Sequence, residues 1–536
     1  MCGIVGVLDL KKTPDRRLIE RMTTIMHHRG PDGAGYHIEG PVALGHRRLS
    51  IIDLSGGAQP LCNEDGTVWI TFNGEIYNFL ELRDELIDKG HRFKTRSDTE
   101  TIVHAWEEWG GDCPKKLRGM FAFAVWDARK GQLFLARDRL GKKPLYYTTD
   151  GSRFVFASEI KALAQDPDVK RELDPAALAD YLNYHYIPFP GTIFKGIHKL
   201  EPGHCLLAQG GGSSVGTSGS SRPAETVQIS IRPYWTLFYD PDHSLSEEDW
   251  VEALRDKLQE AVRIRLISEV PLGAFLSGGI DSSAVVALMS RVQSEPVKTF
   301  SIGFREDDFS ELKYARQVAD LFGTDHHEFV VEPDAMEVLP QLAWEFDEPF
   351  ADSSAIPTYY VSKMAREYVT VILSGDGGDE TFAGYRRYRW ARDMGRYDWL
   401  PEWLRRSLFG LPASLMPEGV KGKGTLQHFS RGPFERYAGL NTFGQNGYLG
   451  QLLSPDVLYE LSNGKGLPDY SAMRNFYDEC PDQDYLTRIQ YVDTKTYLAE
   501  DILTKVDRAS MLCSLEAQER PVQAYPEKSH VRHSAG

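Results

Sequence analysis

Short apolar runs set the pattern of the first 160 residues. Thr67–Phe72, Gln132–Ala136, Leu145–Thr148 and Arg153–Ala157 read as strands. Helical spacing lies between or beside them. In Asp98–Trp109, Ile102, Ala105, Trp106 and Trp109 share one face behind a good N-cap residue. This mixture predicts an α+β unit. The stretch Gly210–Arg222 (GGGSSVGTSGSSR) has too little apolar surface to offset its ordering entropy and is expected to be a mobile loop. Strand-like His204–Ala208 and Val227–Ile231 flank it, which predicts a hairpin with an extended tip. From about Glu247 the pattern changes. Ala253–Leu266 is amphipathic, Val297–Gly303 and Val369–Leu373 are continuous and β-branched as buried parallel strands are, and Glu311–Phe322 is helical between them. That alternation predicts a doubly wound parallel sheet. Arg386–Asp501 reads mostly helical, and the residues after Leu515 show no apolar period and read as an unstructured tail.

Length and composition add boundaries. The 536 residues exceed what one core supports, about 250–300, so two domains are expected. A formal charge of −16 argues against a nucleic-acid or anionic-membrane partner, because either needs clustered Lys and Arg. Cys2, Cys62, Cys113, Cys205, Cys480 and Cys513 lie far apart with no CxxC pair, so neither a zinc site nor a disulfide framework is indicated. The apolar start Gly3–Leu8 is short, and Lys11 and Lys12 follow it, so it does not read as a signal peptide. No apolar run reaches the ~18–20 residues of a membrane span. A cytoplasmic location is expected.

The first candidate chemistry is at Cys2. Removal of Met1 would leave a thiol and a free α-amine on one residue, and the amine can serve as base for its own side chain. A thiolate attacking a glutamine amide needs an oxyanion hole, which Asn73 and Gly74 can supply from a side-chain amide and a backbone N–H. Read alone, Asn-Gly after a strand is equally a turn. A free amino acid also needs a cation for its carboxylate and an anion for its ammonium. Arg48 and Asp98 suit these roles, although Asp98 by itself reads first as a helix cap.

The ordered motifs MCGIVGV, HRGPDG (His28–Gly33), HRRLSIIDL (His46–Leu54), FNGEIYN (Phe72–Asn78) and SDTE (Ser97–Glu100) together resemble the class II glutamine amidotransferase domain, an N-terminal-nucleophile hydrolase, through about Glu159. The resemblance implies that Cys2 attacks glutamine. It further implies that Arg48, with Leu49, Ser50, Ile51 and Ile52, binds the substrate and that Asn73 and Gly74 form the oxyanion hole. Glu75 and Asp98 would hold the amino end.

A second site lies in the other half. Val270–Leu276 reads as a strand, Ser277–Ser283 (SGGIDSS) as a turn and Ala284–Val292 as a helix. Two glycines let backbone approach an anion, and a helix N-terminus with hydroxyls offers donors to phosphate. No Gly-Lys-Ser/Thr follows, so this is not a Walker A loop. In isolation the segment is also an ordinary capped strand–turn–helix. The cluster Ser374–Glu380 (SGDGGDE) likewise follows a buried strand, and two such loops at the carboxyl ends of parallel strands make a ligand crevice. Asp281 and Asp379 are hard oxygen donors suited to Mg²⁺ beside nucleotide phosphates.

SGGIDSS and SGDGGDE, with TFSIGF (Thr299–Phe304) and TYLAEDILTKVDRASM (Thr496–Met511), resemble the PP-loop ATP-pyrophosphatase domain of glutamine-hydrolysing asparagine synthetases, to about Ala517. The implied fold is an α+β N-terminal-nucleophile sandwich followed by an α/β doubly wound PP-loop domain with added helices. The implied bounds are a glutaminase domain at 2–208, a loop and hairpin return at 209–235, an ATP domain at 236–515 and an atypical tail at 516–536. The implied ATP-binding residues are Leu276, Ser277, Gly278, Gly279, Asp281, Ser282, Ile302, Ser374 and Gly375, with Asp376 near the reacting carboxylate. ATP and Mg²⁺ are the implied cofactors. Glutamine and aspartate, or another carboxylate acceptor, are the implied substrates, and a homodimer is compatible with the family.

Two departures qualify this expectation. The family continues after SLEA with an arginine-containing stretch and a downstream catalytic lysine. Here the chain gives Gln518-Glu519-Arg520-Pro521, so a defective synthetase half attached to a working glutaminase is a second reading. The Gly/Ser insertion is also foreign to the standard enzyme, and the two-domain plan is shared by β-lactam synthetase-like and exopolysaccharide-linked amidotransferases.

Overall fold

The computed structural model describes residues 2–210, 226–303, 311–331, 335–396, 398–417, 420–442, 453–457 and 470–519. The strands, in chain order, are β1 (Gly3–Asp9), β2 (Gly33–Glu39), β3 (Val42–Arg48), β4 (Leu61–Cys62), β5 (Val68–Ile76), β6 (Gly119–Asp127), β7 (Gln132–Arg137), β8 (Tyr146–Thr149), β9 (Arg153–Ala157), β10 (Ile197–Lys199), β11 (His204–Gly210), β12 (Val227–Pro233), β13 (Leu272–Phe275), β14 (Lys298–Gly303), β15 (Asp325–Val330), β16 (Val371–Ser374) and β17 (Glu516–Glu519).

Two antiparallel sheets make the first half, in the orders β10-β8-β9-β1-β3-β2 and β12-β11-β7-β6-β5-β4. Ile4, Leu44 and Phe156 from one sheet and Ala124, Leu135 and Leu206 from the other close a single apolar layer between them. Helix Asp98–Trp109 covers the outer face of the second sheet through Ile102 and Trp106, and helix Arg16–Thr24 covers the first through Ile19 and Met22. The result is a four-layer sandwich with helices outside and sheets inside. β11 and β12 pair from His204↔Pro233 to Gly210↔Val227, so the expected hairpin is present, while residues 211–225 between its arms lie outside the described residues.

The second half is a five-stranded sheet in the order β15-β14-β13-β16-β17, parallel throughout. Strand order runs outward from β13 to β15 on one side and to β17 on the other. The reversal therefore falls between β13 and β16, where an open α/β sheet leaves its crevice. Helices account for most of the described residues from Arg386 to Asp501.

Three local expectations are corrected. Asn73-Gly74 is not a turn: it sits inside β5, paired to Ala122 and Phe121 of β6. The strand continues because Gly74 passes Met120 O so closely that an added Cβ would lie 2.0 Å from it. The turn Ser277–Ser283 is shorter than read, because helix Ile280–Val292 already includes Asp281 and both serines. The tail is not wholly unstructured: Glu516–Glu519 forms β17, in register from Val371↔Glu516 to Ser374↔Glu519. Its polar side chains are buried against charged groups of the first half, which an apolar-periodicity reading cannot detect. Residues 520–536 lie outside the described residues. Among the described residues, no helix is long and apolar enough to cross a membrane.

Candidate active sites

Cys2 immediately precedes β1 and is buried. Its backbone N–H donates to Asn73 Oδ1 at 2.8 Å, and its Sγ lies 3.9 Å from Leu49 O. Burial pushes the thiol above its ordinary value, and the terminal amine opposes this. Asn73 Nδ2 is buried and has no hydrogen-bond partner among the described residues. A buried amide donor without an acceptor is costly, so its placement beside the thiol needs an explanation.

Gly74 provides a second donor by register. Tyr77 N donates to Arg118 O and Ala128 N donates to Thr67 O, which ties the odd-numbered residues of β5 to β6. The even-numbered amides face the other way: Phe72 N donates to Gln59 Oε1 at 2.7 Å and Ile76 N to Asp98 Oδ2 at 2.9 Å. Gly74 N–H lies between these two, on the same edge.

Arg48 ends β3. Its guanidinium donates to Asp53 O at 2.6 Å and Leu54 O at 3.1 Å, which anchors it to the loop that follows Leu49–Ile52. That loop is held by the other half: Glu269 accepts from Asp53 N at 3.0 Å and Leu54 N at 3.4 Å. Asp98 is not the helix cap. Ser97 is, accepting from Thr99 N at 3.2 Å, which leaves the Asp98 carboxylate turned to β5. Burial pushes Asp98 up to about 6 against the backbone amides that hold it down. Glu75 is buried and pushed well above the carboxylate range, by burial first and then by Glu516 and Asp98.

In the second half both glycine-rich loops meet at the sheet reversal. After β13, Leu276 is buried, and Ser277 and Ser282 hydroxyls pair at 3.0 Å beneath an exposed Gly279. Gly278 has φ +80°, and a Cβ there would lie 2.5 Å from Tyr314 Cβ. Ile302 is near the end of β14. After β16, the Ser374 hydroxyl bonds the Asp376 carboxylate, and a Cβ on Gly375 would lie 2.9 Å from Ser282 N. The Asp281 carboxylate lies against Gly378, where an added Cβ would come within 2.4 Å of its Cγ. Asp379 is raised by burial and then by the charge of Asp281. Two hard-oxygen carboxylates in mutual repulsion are a donor set that fits a divalent cation.

Several further residues lie in or beside the two sites. Lys505 donates to Asp352 and Ser354, each at 2.8 Å, and its charge opposes the rise that burial imposes on Asp376. Glu380 is buried, pushed up to about 7 by burial, and receives the Tyr385 hydroxyl at 2.7 Å. Its signal was an acid beside Asp379 in the motif already noted. Glu516, Gln518 and Glu519 of β17 carried no signal. His91, His104 and Glu107 also cluster, and hydrogen bonds to Glu100 and Glu107 push His104 up to about 9 against its burial.

Family models match both halves, the glutamine amidotransferase domain over residues 1–217 and asparagine synthase over residues 253–519. A curated relative, the glutamine-hydrolyzing asparagine synthetase 1 of Bacillus subtilis, is 38% identical over 526 residues, covering 96% of this chain and 78% of its own length. The synthetase 3 of the same organism is 36% identical over 421 residues, 75% of this chain and 66% of its own.

Proposed function

Since the chain belongs to the glutamine-hydrolysing asparagine synthetases, we propose that it frees ammonia from glutamine at Cys2 and passes it to an aspartate side chain activated by ATP at the β13/β16 crevice. The observation that carries the first step is the unpartnered Asn73 Nδ2 beside Cys2.

Once Met1 is removed, the nitrogen now bound to Asn73 Oδ1 is the α-amine. It takes the thiol proton, and the thiolate attacks the glutamine carboxamide carbon. The resulting oxyanion accepts hydrogen bonds from Asn73 Nδ2 and Gly74 N–H, donors already fixed in place before the reaction. Collapse returns the proton to the leaving nitrogen as ammonia. Water then releases glutamate from the thioester. Arg48 holds the substrate carboxylate, and Glu75 and Asp98 hold its ammonium.

In the second step the Ser277–Ser283 loop receives nucleotide phosphates through backbone N–H groups and hydroxyls at the start of helix Ile280–Val292. Asp281 and Asp379 would hold Mg²⁺, which supplies neutralisation of phosphate charge. The aspartate carboxylate displaces pyrophosphate from ATP, and ammonia displaces AMP from the mixed anhydride. The six free cysteines suit a reducing cytoplasm.

The test is aspartate-dependent pyrophosphate release, followed with glutamine and then with ammonium as nitrogen source. Release with both, and asparagine as product, is expected. Glutaminase activity without aspartate-dependent pyrophosphate would overturn the second step alone.

A further inference from the structure

Cys2 is held from both ends, and one hold originates in the ATP half. Asn73 takes the backbone N–H. Arg29 Nε donates to Cys2 O at 3.1 Å. The same guanidinium forks onto Asp507, with Nη1 2.9 Å from Oδ2 and Nη2 3.1 Å from Oδ1. Arg29 and Asp507 are both buried. A planar fork on a carboxylate fixes orientation as well as charge. Glu159, 3.0 Å from Nη1, cannot substitute for that fork, because Lys161, Arg508 and His28 already share its oxygens.

Asp507 lies on helix Leu503–Met511. Two residues earlier, about 3 Å along the axis, Lys505 grips Asp352 and Ser354 and acts on Asp376 at the acceptor side. The helix therefore touches both sites with side chains that move as one body. The preceding turns, Thr494–Ile502, are wound as a π-helix, a geometry that commonly marks functional sites in helices.

We propose that Asp507 is a positioning residue for the Cys2 nucleophile, acting through Arg29, and that its helix conveys occupancy of the acceptor site to the glutaminase site. This rests on the glutaminase reading given above. A ligand that draws Lys505 away from Asp352 shifts the helix, the Asp507 fork and then the carbonyl of Cys2.

The experiment compares the intact protein with Asp507→Asn. The readouts are the rate at which a diazoketone analogue of glutamine labels Cys2, and kcat and KM for glutamine hydrolysis. Both are measured with and without ATP, Mg²⁺ and aspartate, and calorimetric ATP binding serves as the folding control. In the parent the added ligands should change the labelling rate. In Asp507→Asn labelling should be about ten-fold slower and indifferent to the ligands, with kcat lowered, KM for glutamine little changed and ATP binding retained. Labelling equal to the parent, a retained ligand response, or equal loss of ATP binding and glutaminase would each overturn the proposal. The last would make Asp507 a structural brace. A parent that takes no label at Cys2 would instead defeat the glutaminase reading, and this inference with it.

Discussion

Gln518 donates its side-chain amide to Glu75 at 2.6 Å, joining the edge strand β17 of the second-half sheet to β5, which carries Asn73 and Gly74. Glu75 is buried among Glu516 and Asp98, both of which disfavour its charge. Among the described residues the amide is the one side-chain donor to it, and a hydrogen bond to a charged group contributes about 1.5–3 kcal/mol. Gln518→Ala should therefore push Glu75 up still further and weaken its grip on the substrate ammonium. The expected result is a glutamine KM raised about ten-fold and partly recovered at higher pH. An unchanged KM across pH would show that Glu75 does not bind the donor.

Cys2→Ala should abolish glutamine hydrolysis while ammonium still supports synthesis. A form that retains Met1 should be equally inactive with glutamine, because its amine is then a peptide nitrogen and cannot take the thiol proton. Mass spectrometry of the amino terminus beside a glutaminase assay decides both points.

Loss of one oxyanion donor typically costs about 10²–10³ in rate. Asn73→Ala should lower kcat by that order with a smaller effect on KM. A pure KM effect would assign Asn73 to substrate binding only.

Asp98 titrates at about 6 in the folded protein against an ordinary 3.8. The protonated form cannot pair with the substrate ammonium, so kcat/KM for glutamine should fall as pH drops through about 6. Asp98→Asn should remove that limb and lower kcat/KM throughout. Stability runs the other way. A raised acid contributes most below 3.8, and the contribution, at most about 3 kcal/mol, is lost as pH climbs to about 6. In urea unfolding, Asp98→Asn should gain on the parent at pH near 7.5 but not at pH near 4.

Gly378 leaves room for the Asp281 carboxylate, and a methyl there would sit 2.4 Å from Asp281 Cγ. Gly378→Ala and Asp281→Asn should each weaken ATP binding in the presence of Mg²⁺ by about ten-fold and change metal-free binding little. Equal losses with and without metal would mean that these residues contact the nucleotide rather than a cation.

Both chemistries were legible in the residues because each is local. A nucleophile whose base is its own amine occupies one position, and a phosphate cradle of backbone amides occupies one strand end and the first turn of one helix. MCGIVGV takes its meaning from the motifs that follow it in order, and SGGIDSS takes its meaning from SGDGGDE, because each alone also fits an ordinary element. Three of the five parallel strands were legible too, since segments such as Val371–Leu373 are buried on both faces and apolar. What sequence could not decide depends on which neighbours, near or far along the chain, the tertiary packing supplies. Asn73-Gly74 reads as a turn until β6 pairs with it and Met120 O claims the space a side chain would need. Asp98 reads as a cap until Ser97 takes that role. Glu516–Glu519 has no apolar face, and it is a strand only because β16 supplies its backbone partners and Lys142, Lys143 and Glu75 lie opposite its side chains. The fork from Asp507 to Arg29 has the same origin. Its two ends are 478 positions apart, and only the docking of the two halves buries them together.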